Sequence, residues 1–470
     1  MICSTMFRLL ITLSLLLVAT LSQARTVTGT VTCGKEKLSG VIVTDGTSFT
    51  RTEGGKFKFE ICDTAEFVYI ITPDGYVAPW LSGVPAFYQS AAGRRKFNFR
   101  LQKTLPGDRY SIVAVSDPQT KAKHFKKFCG KPLKDLCKTT TGLEGVAVGL
   151  VLGDICWDAL EVLGQYKEAI VSTGIPFYPV VGNHDHDLNA KGDHATTDRY
   201  RKALGPENYA FFLGKDLVIV VDNIIYDTQK IYQEGYAPHV LDWVKKLLSM
   251  VPDSTQLFVA QHSPLQKNLK TGSRIVNADD MLDILRGHKT VFISGHTHFN
   301  NNMDYGNGIT EQNVAALCGA WWDTKHNTDG TPRGYKVFTR QNDSLSWYYK
   351  SVGHDKDFQV EVFEYGQTPY NPKSIVVNVW DWDPMWKVEW YQDEAYMGVL
   401  DPVWDISPIY REEIETVFAA RKREVTPFKT PKANCHYFAL TPSKDAHSVK
   451  VVVTSRFGQR WEFAPELPAL

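Results

Sequence analysis

Five apolar runs of this chain end abruptly in carboxylate, amide or imidazole side chains, and this repeated pattern constrains the fold more than any other feature. The clearest run starts at Pro179 and ends in Asn183, His184 and Asp185. The other four end in Asp117-Pro118-Gln119, Gly153-Asp154, Gln261-His262 and Gly295-His296-Thr297-His298. Polar groups at the tip of a buried strand cost stability unless each finds a partner. A metal ion is the natural partner for this set of side chains.

The spacing of the five runs predicts a single site. Side chains at the carboxyl ends of neighbouring strands in an open α/β sheet meet in one crevice, even when they are far apart in sequence. Helical periodicity follows the second run, from Ala159 to Ile170, and Gly174 is expected to end that helix. A second helix is expected from His239 to Met250. Alternating strands and helices predict an α/β sheet core.

The order of these motifs closely resembles the calcineurin-like metallophosphoesterase family, over about residues 109–349. The resemblance implies a metallophosphoesterase β-sheet sandwich core with flanking helices, and the hydrolysis of phosphoric esters by two divalent metal ions. Two such ions share a hydroxide and clamp the phosphoryl oxygens, which offsets the weakness of water as a nucleophile. Oxygen ligands combined with imidazoles suit Mn, Fe, Zn or Mg.

The resemblance also implies which residues hold the ions. Asp154 would bridge both ions, Asp117, Gln119 and His298 would complete one sphere, and Asn183, His262 and His296 the other. Position 119 departs from the family, which usually has histidine there. A glutamine offers only a neutral amide oxygen, so the first ion is expected to bind more weakly. Whether Gln119 is a ligand or only touches one stays open.

By the same resemblance, His184 points at the substrate and protonates or hydrogen-bonds the leaving oxygen. Asp185 is expected to hold its ring in the right tautomer. Either residue alone would also fit a satisfied group of the core. Asp158 is open between orienting a ligand and capping the helix that follows it.

An aromatic, glycine-rich stretch follows the last motif and contains Trp321, Trp322 and Asp323. Two adjacent tryptophans cannot both be buried on one face of a strand. We therefore expect this stretch to bind the organic part of a substrate at the site mouth. The alternative is that a tryptophan wedges against the last domain.

Three further segments flank this core. Residues 1–24 carry Arg8, an apolar run from Leu9 to Leu21 and a small-residue cleavage site, which predicts a signal peptide and a soluble exported protein, periplasmic or extracellular. Residues 26–105 alternate at period two between close turns, which predicts a β-sandwich that weakly resembles carboxypeptidase-regulatory-like modules. The core is expected at 108–352, and a second β-sandwich at 355–470.

Eight cysteines include Cys3 in the predicted signal peptide. In an oxidising compartment we expect Cys33 to pair with Cys62, and Cys129 with Cys137. The remaining cysteines, Cys156, Cys318 and Cys435, lie in apolar surroundings and are expected to be small buried side chains.

The sequence thus predicts an exported phosphoesterase with two metal ions, acting on a small phosphomonoester or phosphodiester. Lys plus Arg and Asp plus Glu both number 52, so nothing indicates a nucleic-acid partner. One alternative is a pyrophosphatase acting on nucleotide-linked or lipid-linked diphosphates. Another is a binding protein whose phosphoesterase centre has decayed, although every ligand position but one holds the expected residue type. The sequence leaves the oligomeric state open.

Overall fold

The computed structural model describes residues 24–80, 82–105, 107, 109–267 and 269–467. All of the predicted signal peptide except Ala24 lies outside these residues. None of the helices in the described part is long and apolar enough to cross a membrane.

The N-terminal region is built from two small four-stranded sheets, one pairing β1 with β2, β5 and β9, the other ordered β4-β3-β6-β8. A short pair, β7 and β10, lies beside them. The strands are β1 (Ala24–Cys33), β2 (Glu36–Lys37), β3 (Ile42–Thr44), β4 (Phe49–Arg51), β5 (Lys56–Cys62), β6 (Phe67–Ile70), β7 (Tyr76–Val77), β8 (Tyr88–Ser90), β9 (Lys96–Arg100) and β10 (Gln102–Lys103).

The central region contains two larger sheets. The first is ordered β13-β12-β11-β22-β23 and the second β14-β15-β18-β19-β21-β20, while β16 and β17 form a separate hairpin. The strands are β11 (Arg109–Val115), β12 (Val146–Leu152), β13 (Phe177–Val180), β14 (Tyr209–Leu213), β15 (Asp216–Val220), β16 (Ile224–Thr228), β17 (Ile231–Glu234), β18 (Leu257–Ala260), β19 (Thr290–Ser294), β20 (Asn301–Gly306), β21 (Ile309–Asn313), β22 (Gly334–Gln341) and β23 (Ser344–Ser351).

The five motifs are shared between these two sheets. The parallel strands β11, β12 and β13 precede the first three motifs, and the parallel strands β18 and β19 precede the last two. The ring of Tyr110 on β11 packs edge-on against Phe258 on β18, with centroids 6.5 Å apart, so the sheets are packed face to face. The predicted sandwich core is therefore confirmed, and its motif-bearing loops come from two sheets rather than from one.

Helices surround the central sheets: α1 (Ala122–Phe128), α2 (Lys131–Thr141), α3 (Leu163–Ile170), α4 (Asp193–Thr196), α5 (Asp198–Leu204), α6 (Pro238–Leu248) and α7 (Ala278–Ile284). Short 3₁₀ turns cover Leu160–Val162, Val171–Thr173 and Asn183–Asp185. Gly174 ends the helix after the second motif with φ 75°, as predicted. The helices α1, α2, α4 and α5 were not predicted from the sequence.

The C-terminal region packs two four-stranded sheets, ordered β24-β25-β29-β28 and β27-β26-β30-β31. The strands are β24 (Val360–Phe363), β25 (Ile375–Val379), β26 (Lys387–Gln392), β27 (Ala395–Val399), β28 (Pro402–Asp405), β29 (Asn434–Leu440), β30 (Val449–Thr454) and β31 (Arg460–Phe463). One helix that was not predicted, α8 (Pro408–Ala420), precedes a 3₁₀ turn at Pro427–Lys429. Ser407 caps α8, because its side chain accepts a hydrogen bond from the N–H of Tyr410.

Buried contacts join the three regions. Phe87 of the N-terminal region lies 4.7 Å from Tyr209 of the second central sheet, measured between ring centroids. On the other side, the fully buried ammonium of Lys336 lies 2.7 Å from a carboxylate oxygen of Asp381. Removing one partner of such a pair would leave a buried charge uncompensated. The exact domain boundaries given above stay predictions.

The expected disulfides do not form among the described residues. Strand pairing places Cys62 opposite Ala24, nine residues from Cys33 on the same strand. At ~3.3 Å per residue this separates the two cysteines by roughly 30 Å, far beyond the reach of a disulfide. Cys129 and Cys137 lie at the end of α1 and within α2 and are also not bonded to each other. Both predicted pairings were wrong, and for Cys33 and Cys62 the reason is that antiparallel register, not sequence distance, decides which ends of two strands meet.

Candidate metal centre

The five motif loops meet at one point between the two central sheets. Asp154, His262 and His296 each direct one potential ligand atom into a group whose members all lie within 4.8 Å of one another. Gly153 allows this close approach, because a Cβ at that position would lie 2.5 Å from Nδ1 of His262. Loops from opposite sheets thereby present their side chains to a common space.

Several of the predicted ligands have a left-handed backbone, which is uncommon for residues other than glycine. The φ angle is 47° at Asp117, 40° at Gln119, 49° at Asp154, 70° at His296 and 56° at His298. Such conformations cost on the order of 1–3 kcal/mol each and cluster at functional sites, where the surroundings enforce them. The local sequence thus stores strain at the point where the motif side chains converge.

The second half of the centre, as defined by the resemblance, consists of Asn183, His262 and His296. Nε2 of His262 lies 3.0 Å from Oδ1 of Asn183 and 3.1 Å from Nδ1 of His296. The same Nε2 lies 3.3 Å from Oδ1 of Asp154. These atoms are the ligand atoms expected to face one ion, and they contact one another.

The first half consists of Asp117, Gln119 and His298. Nε2 of His298 lies 3.5 Å from Oδ1 of Asp117, and the amide nitrogen of Gln119 donates to Oδ2 of Asp154 over 2.9 Å. Oδ1 of Asp117 and Oε1 of Gln119 are buried and have no hydrogen-bond partner. A buried acceptor without a partner is costly. A cation beside these two oxygens would remove that cost.

The three histidines have the hydrogen bonds that metal-bound imidazoles need. Nδ1 of His262 donates to the carbonyl of Leu152 over 2.7 Å, and Nδ1 of His298 donates to the carbonyl of Gly319 over 3.0 Å. Nε2 of His296 lies 3.4 Å from Oε1 of Glu234. Each outer contact fixes the tautomer and leaves the other ring nitrogen facing the centre, as is usual for metal ligands. The residues present therefore fit divalent ions.

The electrostatics of the centre also favour a cation. Burial alone would raise the pKa of Asp117 and of Asp154, but the neighbouring imidazoles lower both, so these carboxylates are ionised. Burial likewise opposes a charged His262, yet Asp154 and Asp117 raise its pKa to about 9. Positive charge is thus stabilised inside a site from which water is largely excluded.

His184 is paired with Asp158 and not with Asp185 as predicted. Nδ1 of His184 lies 2.6 Å from Oδ1 of Asp158, and Lys230 lies 2.7 Å from the other oxygen of that carboxylate. Burial alone would lower the pKa of His184, but Asp154 and Asp158 raise it. Asp158 is also not a helix cap, since no side chain caps the helical turn that begins at Leu160.

Asp185 instead ties two motif loops together. Its carboxylate accepts hydrogen bonds from the N–H groups of Ile155 at 3.2 Å, Cys156 at 2.9 Å and Gly182 at 3.0 Å. The residue next to His184 therefore cannot reach its ring, because its oxygens are committed to backbone donors. The prediction failed because adjacency in sequence does not place two side chains on the same side of a 3₁₀ turn.

Two of the three residues predicted to contact substrate, Trp322 and Asp323, bind other parts of the protein instead. Trp322 is 3% exposed, and its ring N–H donates to the carbonyls of Pro118 and Gln119. Asp323 pairs with Arg421 at 2.6 Å and Lys429 at 2.5 Å, both from the C-terminal region. The expectation that they contact substrate is therefore corrected. Trp321 is half-buried and stacks on His298.

Two residues of the β16–β17 hairpin reach the centre and were missed in the sequence. Glu234 lies beside His296. Burial alone would raise the pKa of Glu234, but His296 and Lys267 lower it to about 2. Lys230 contacts Asp158 at the hairpin tip. Hydrophobicity along β17 gave no signal for them, because Ile231 is exposed while Glu234 is half-buried.

Fold and donor set together define a metal-dependent hydrolase of phosphoric esters, and three family models support this class. Residues 25–104 match the N terminal of calcineurin-like phosphoesterase, residues 110–300 match calcineurin-like phosphoesterase, and residues 311–461 match the C terminal of calcineurin-like phosphoesterase. These matches follow one another along almost the whole described chain. The chain belongs to the calcineurin-like phosphoesterase family.

Individual relatives are distant. A protein described as a probable glycerophosphodiester phosphodiesterase of Arcobacter nitrofigilis is 22% identical over 138 residues, which is 28% of this chain and 49% of that protein. The match thus spans about half the length of this relative. A dimetal phosphatase from Danio rerio aligns at TM-score 0.40 and 13% identity, over 52% of this chain and 97% of its own. A 5'-nucleotidase from Candida albicans aligns at TM-score 0.33 and 9% identity, over 53% and 52%.

Proposed function

We propose that this chain hydrolyses a small phosphomonoester or phosphodiester at a centre for two divalent metal ions. The observation that carries the proposal is the convergence of Asp154, His262 and His296 within 4.8 Å, together with the buried oxygens of Asp117 and Gln119 that lack a hydrogen-bond partner. The donor set of carboxylates, amide oxygens and imidazoles suits Mn, Fe, Zn and Mg.

Asp154 would serve both ions, because its two oxygens face different halves of the centre. Oδ1 lies near His262, and Oδ2 accepts from Gln119. When bound, the ions would supply an activated water and neutralise charge on the phosphoryl oxygens. Asp117, Gln119 and His298 would hold one ion, and Asn183, His262 and His296 the other.

His184 would act on the leaving oxygen. Asp158 occupies its Nδ1, which leaves Nε2 as the nitrogen that can deliver a proton to a substrate. The backbone N–H of His184 donates to Asp154 over 2.8 Å, so this histidine is fixed relative to the proposed bridging carboxylate. A positioned acid of this kind typically contributes about 10²–10⁴-fold to a rate.

Metal analysis combined with turnover of p-nitrophenyl phosphate and bis-p-nitrophenyl phosphate tests the proposal. We expect about two ions per chain and hydrolysis of at least one ester, and we expect a chelator to abolish turnover. Asp304→Asn, at an exposed position on β20, serves as a control for Asp154→Asn. A metal-free chain that turns over neither ester would overturn the proposal and favour a binding protein with a decayed centre.

Export and the domain division belong to the same proposal. The apolar run from Leu9 to Leu21 and the small residues after it support a cleaved signal peptide. N-terminal sequencing of the protein from its native source should then start near Arg25. We also propose units at 26–105, 108–352 and 355–470, which limited proteolysis at their junctions would test.

A further inference from the structure

Trp321 connects the proposed metal ligand His298 to the C-terminal region. The indole ring is stacked on the imidazole of His298, with centroids 4.3 Å apart and an angle of 18° between the rings. Phe428 packs edge-on against the same indole at 5.1 Å and 86°. The ammonium of Lys429 lies over the indole ring, 5.5 Å from its centroid. The indole is thus held between a ligand of the central region and two residues that follow α8.

Lys429 is fixed in this position by its own contacts. It is 6% exposed, its Nζ lies 2.5 Å from Oδ2 of Asp323, and its carbonyl accepts a hydrogen bond from the hydroxyl of Tyr410 over 2.7 Å. Arg421 donates to both oxygens of Asp323. Because a buried ammonium is retained only where it is paired, these contacts set the position of the cation over Trp321.

Two contacts from the segment after β21 help to orient His298. The hydrogen bond from Nδ1 to the carbonyl of Gly319 sets the tautomer, and the stack on Trp321 sets the plane of the ring. Trp321 itself has φ 54°, a left-handed backbone that its surroundings must maintain. Loss of the contacts from the C-terminal region would let the indole move, and the imidazole ring of His298 would then be free to tilt.

We infer that Trp321, held by Phe428 and Lys429, is a positioning residue that sets the metal affinity of the half-site containing His298. The C-terminal region therefore contributes to the metal centre without providing a ligand. This inference rests on the proposed function, because it requires that His298 binds an ion. Groups that orient a metal ligand typically change metal affinity by about 10–100-fold when they are removed.

The chain offers a closely matched control for Phe428. Phe457 is also an exposed phenylalanine of the C-terminal region, and it packs edge-on against Trp347 at 4.9 Å and 88°. That tryptophan also lies under a cation, since Arg456 is 4.7 Å from its centroid. Phe428→Ala and Phe457→Ala remove the same kind of contact, but only the first contact leads to His298.

Calorimetric titration of the chelator-treated full chain with Mn²⁺ tests the inference. We expect Trp321→Ala to weaken one class of ion by about 10–100-fold, Phe428→Ala to weaken the same class by less, and Phe457→Ala to leave both classes unchanged. Trp321→Phe, which keeps a ring on His298, should restore most of the affinity. In a His298→Ala background, Trp321→Ala should have no further effect on Mn²⁺ binding, because the coupled contact is already absent.

Thermal unfolding of each variant separates loss of the fold from loss of positioning, and Phe428→Ala tests the inference even if Trp321→Ala does not fold. Unchanged Mn²⁺ affinities in Trp321→Ala and Phe428→Ala, with a normal wild-type titration, would overturn this inference alone. An effect of Trp321→Ala that persists in the His298→Ala background would also overturn it. A wild-type chain that binds no Mn²⁺, Zn²⁺ or Fe²⁺ would overturn the proposed function together with this inference.

Discussion

The two halves of the candidate centre differ in how their donors are satisfied. Asn183, His262 and His296 contact one another through ring nitrogens and an amide oxygen at 3.0 and 3.1 Å. In the other half, Asp117 and Gln119 each leave one buried oxygen without a hydrogen-bond partner. Glutamine at position 119, where the family usually has histidine, therefore changes more than the strength of one bond to the metal. Its amide N–H must find an acceptor, and it uses Asp154.

The largest effect is expected from removing the residue that both halves share. Asp154→Ala should abolish binding of both ions and all turnover, since the carboxylate contacts Gln119 on one side and His262 on the other. Metal analysis of the purified variant, with Asp304→Ala as control, measures this. Wild-type metal content with retained turnover would show that the halves are independent of Asp154.

A change beside the second half should affect chemistry without affecting either ion. His184→Asn removes the group paired with Asp158, and we expect turnover of an alkyl phosphoester to fall by about 10²–10⁴-fold. The loss should be small for a nitrophenyl ester, whose leaving group needs no proton. Metal content should match that of wild type. Equal losses on both esters would exclude His184 from the role of acid.

A substitution within the first half should reduce the difference in ion affinity between the two halves. Gln119→His supplies an imidazole where an amide oxygen has no partner, and it releases Oδ2 of Asp154. We expect the weaker ion to bind at least about tenfold more tightly. Calorimetry with Mn²⁺ measures this, and weaker binding would mean that Gln119 has a function of its own.

The smallest effect is expected from Asp323, which links the first half of the centre to the C-terminal region, and it concerns the pH dependence of stability. Burial alone would raise the pKa of Asp323, but the bonds from Arg421 and Lys429 lower it. Because the folded pKa lies below the unfolded one, this pairing stabilises the fold above the ordinary carboxyl pKa of about 3.9, and the stabilisation is lost as pH falls through the folded value. The free energy of unfolding of Asp323→Asn should therefore depend less on pH than that of wild type below about pH 4. Identical pH dependence would remove Asp323 from this role.

The sequence predicted those features that depend on local pattern. The α/β core, the strands that precede the motifs and the glycine that ends the helix after Asp154 follow from periodicity and turn chemistry, whereas the sandwich arrangement was implied by the family resemblance. Features that depend on tertiary contacts were missed or misassigned. Asp158 reaches His184 from 26 positions away, and Lys429 reaches Asp323 from 106 positions away. No local pattern marks such partners.

The unpredicted helix α8 shows a related limit. Its signal was present, since Ser407 caps it and Pro408 occupies its first turn. The strands on both sides favoured a purely β interpretation of the region. This helix and the turn after it carry the residues that contact Trp321 and Asp323, so the same omission hid the link between the C-terminal region and the first half.

Titration of the chelator-treated wild-type chain with Mn²⁺ tests the central claim, the inequality of the two halves, most directly. The structure leads us to expect two classes of ion whose dissociation constants differ by at least about tenfold. The weaker class should disappear in His298→Ala, and the tighter class should persist. Two ions of equal affinity, or loss of the tighter class in His298→Ala, would contradict the assignment of the weaker ion to the half that contains Gln119.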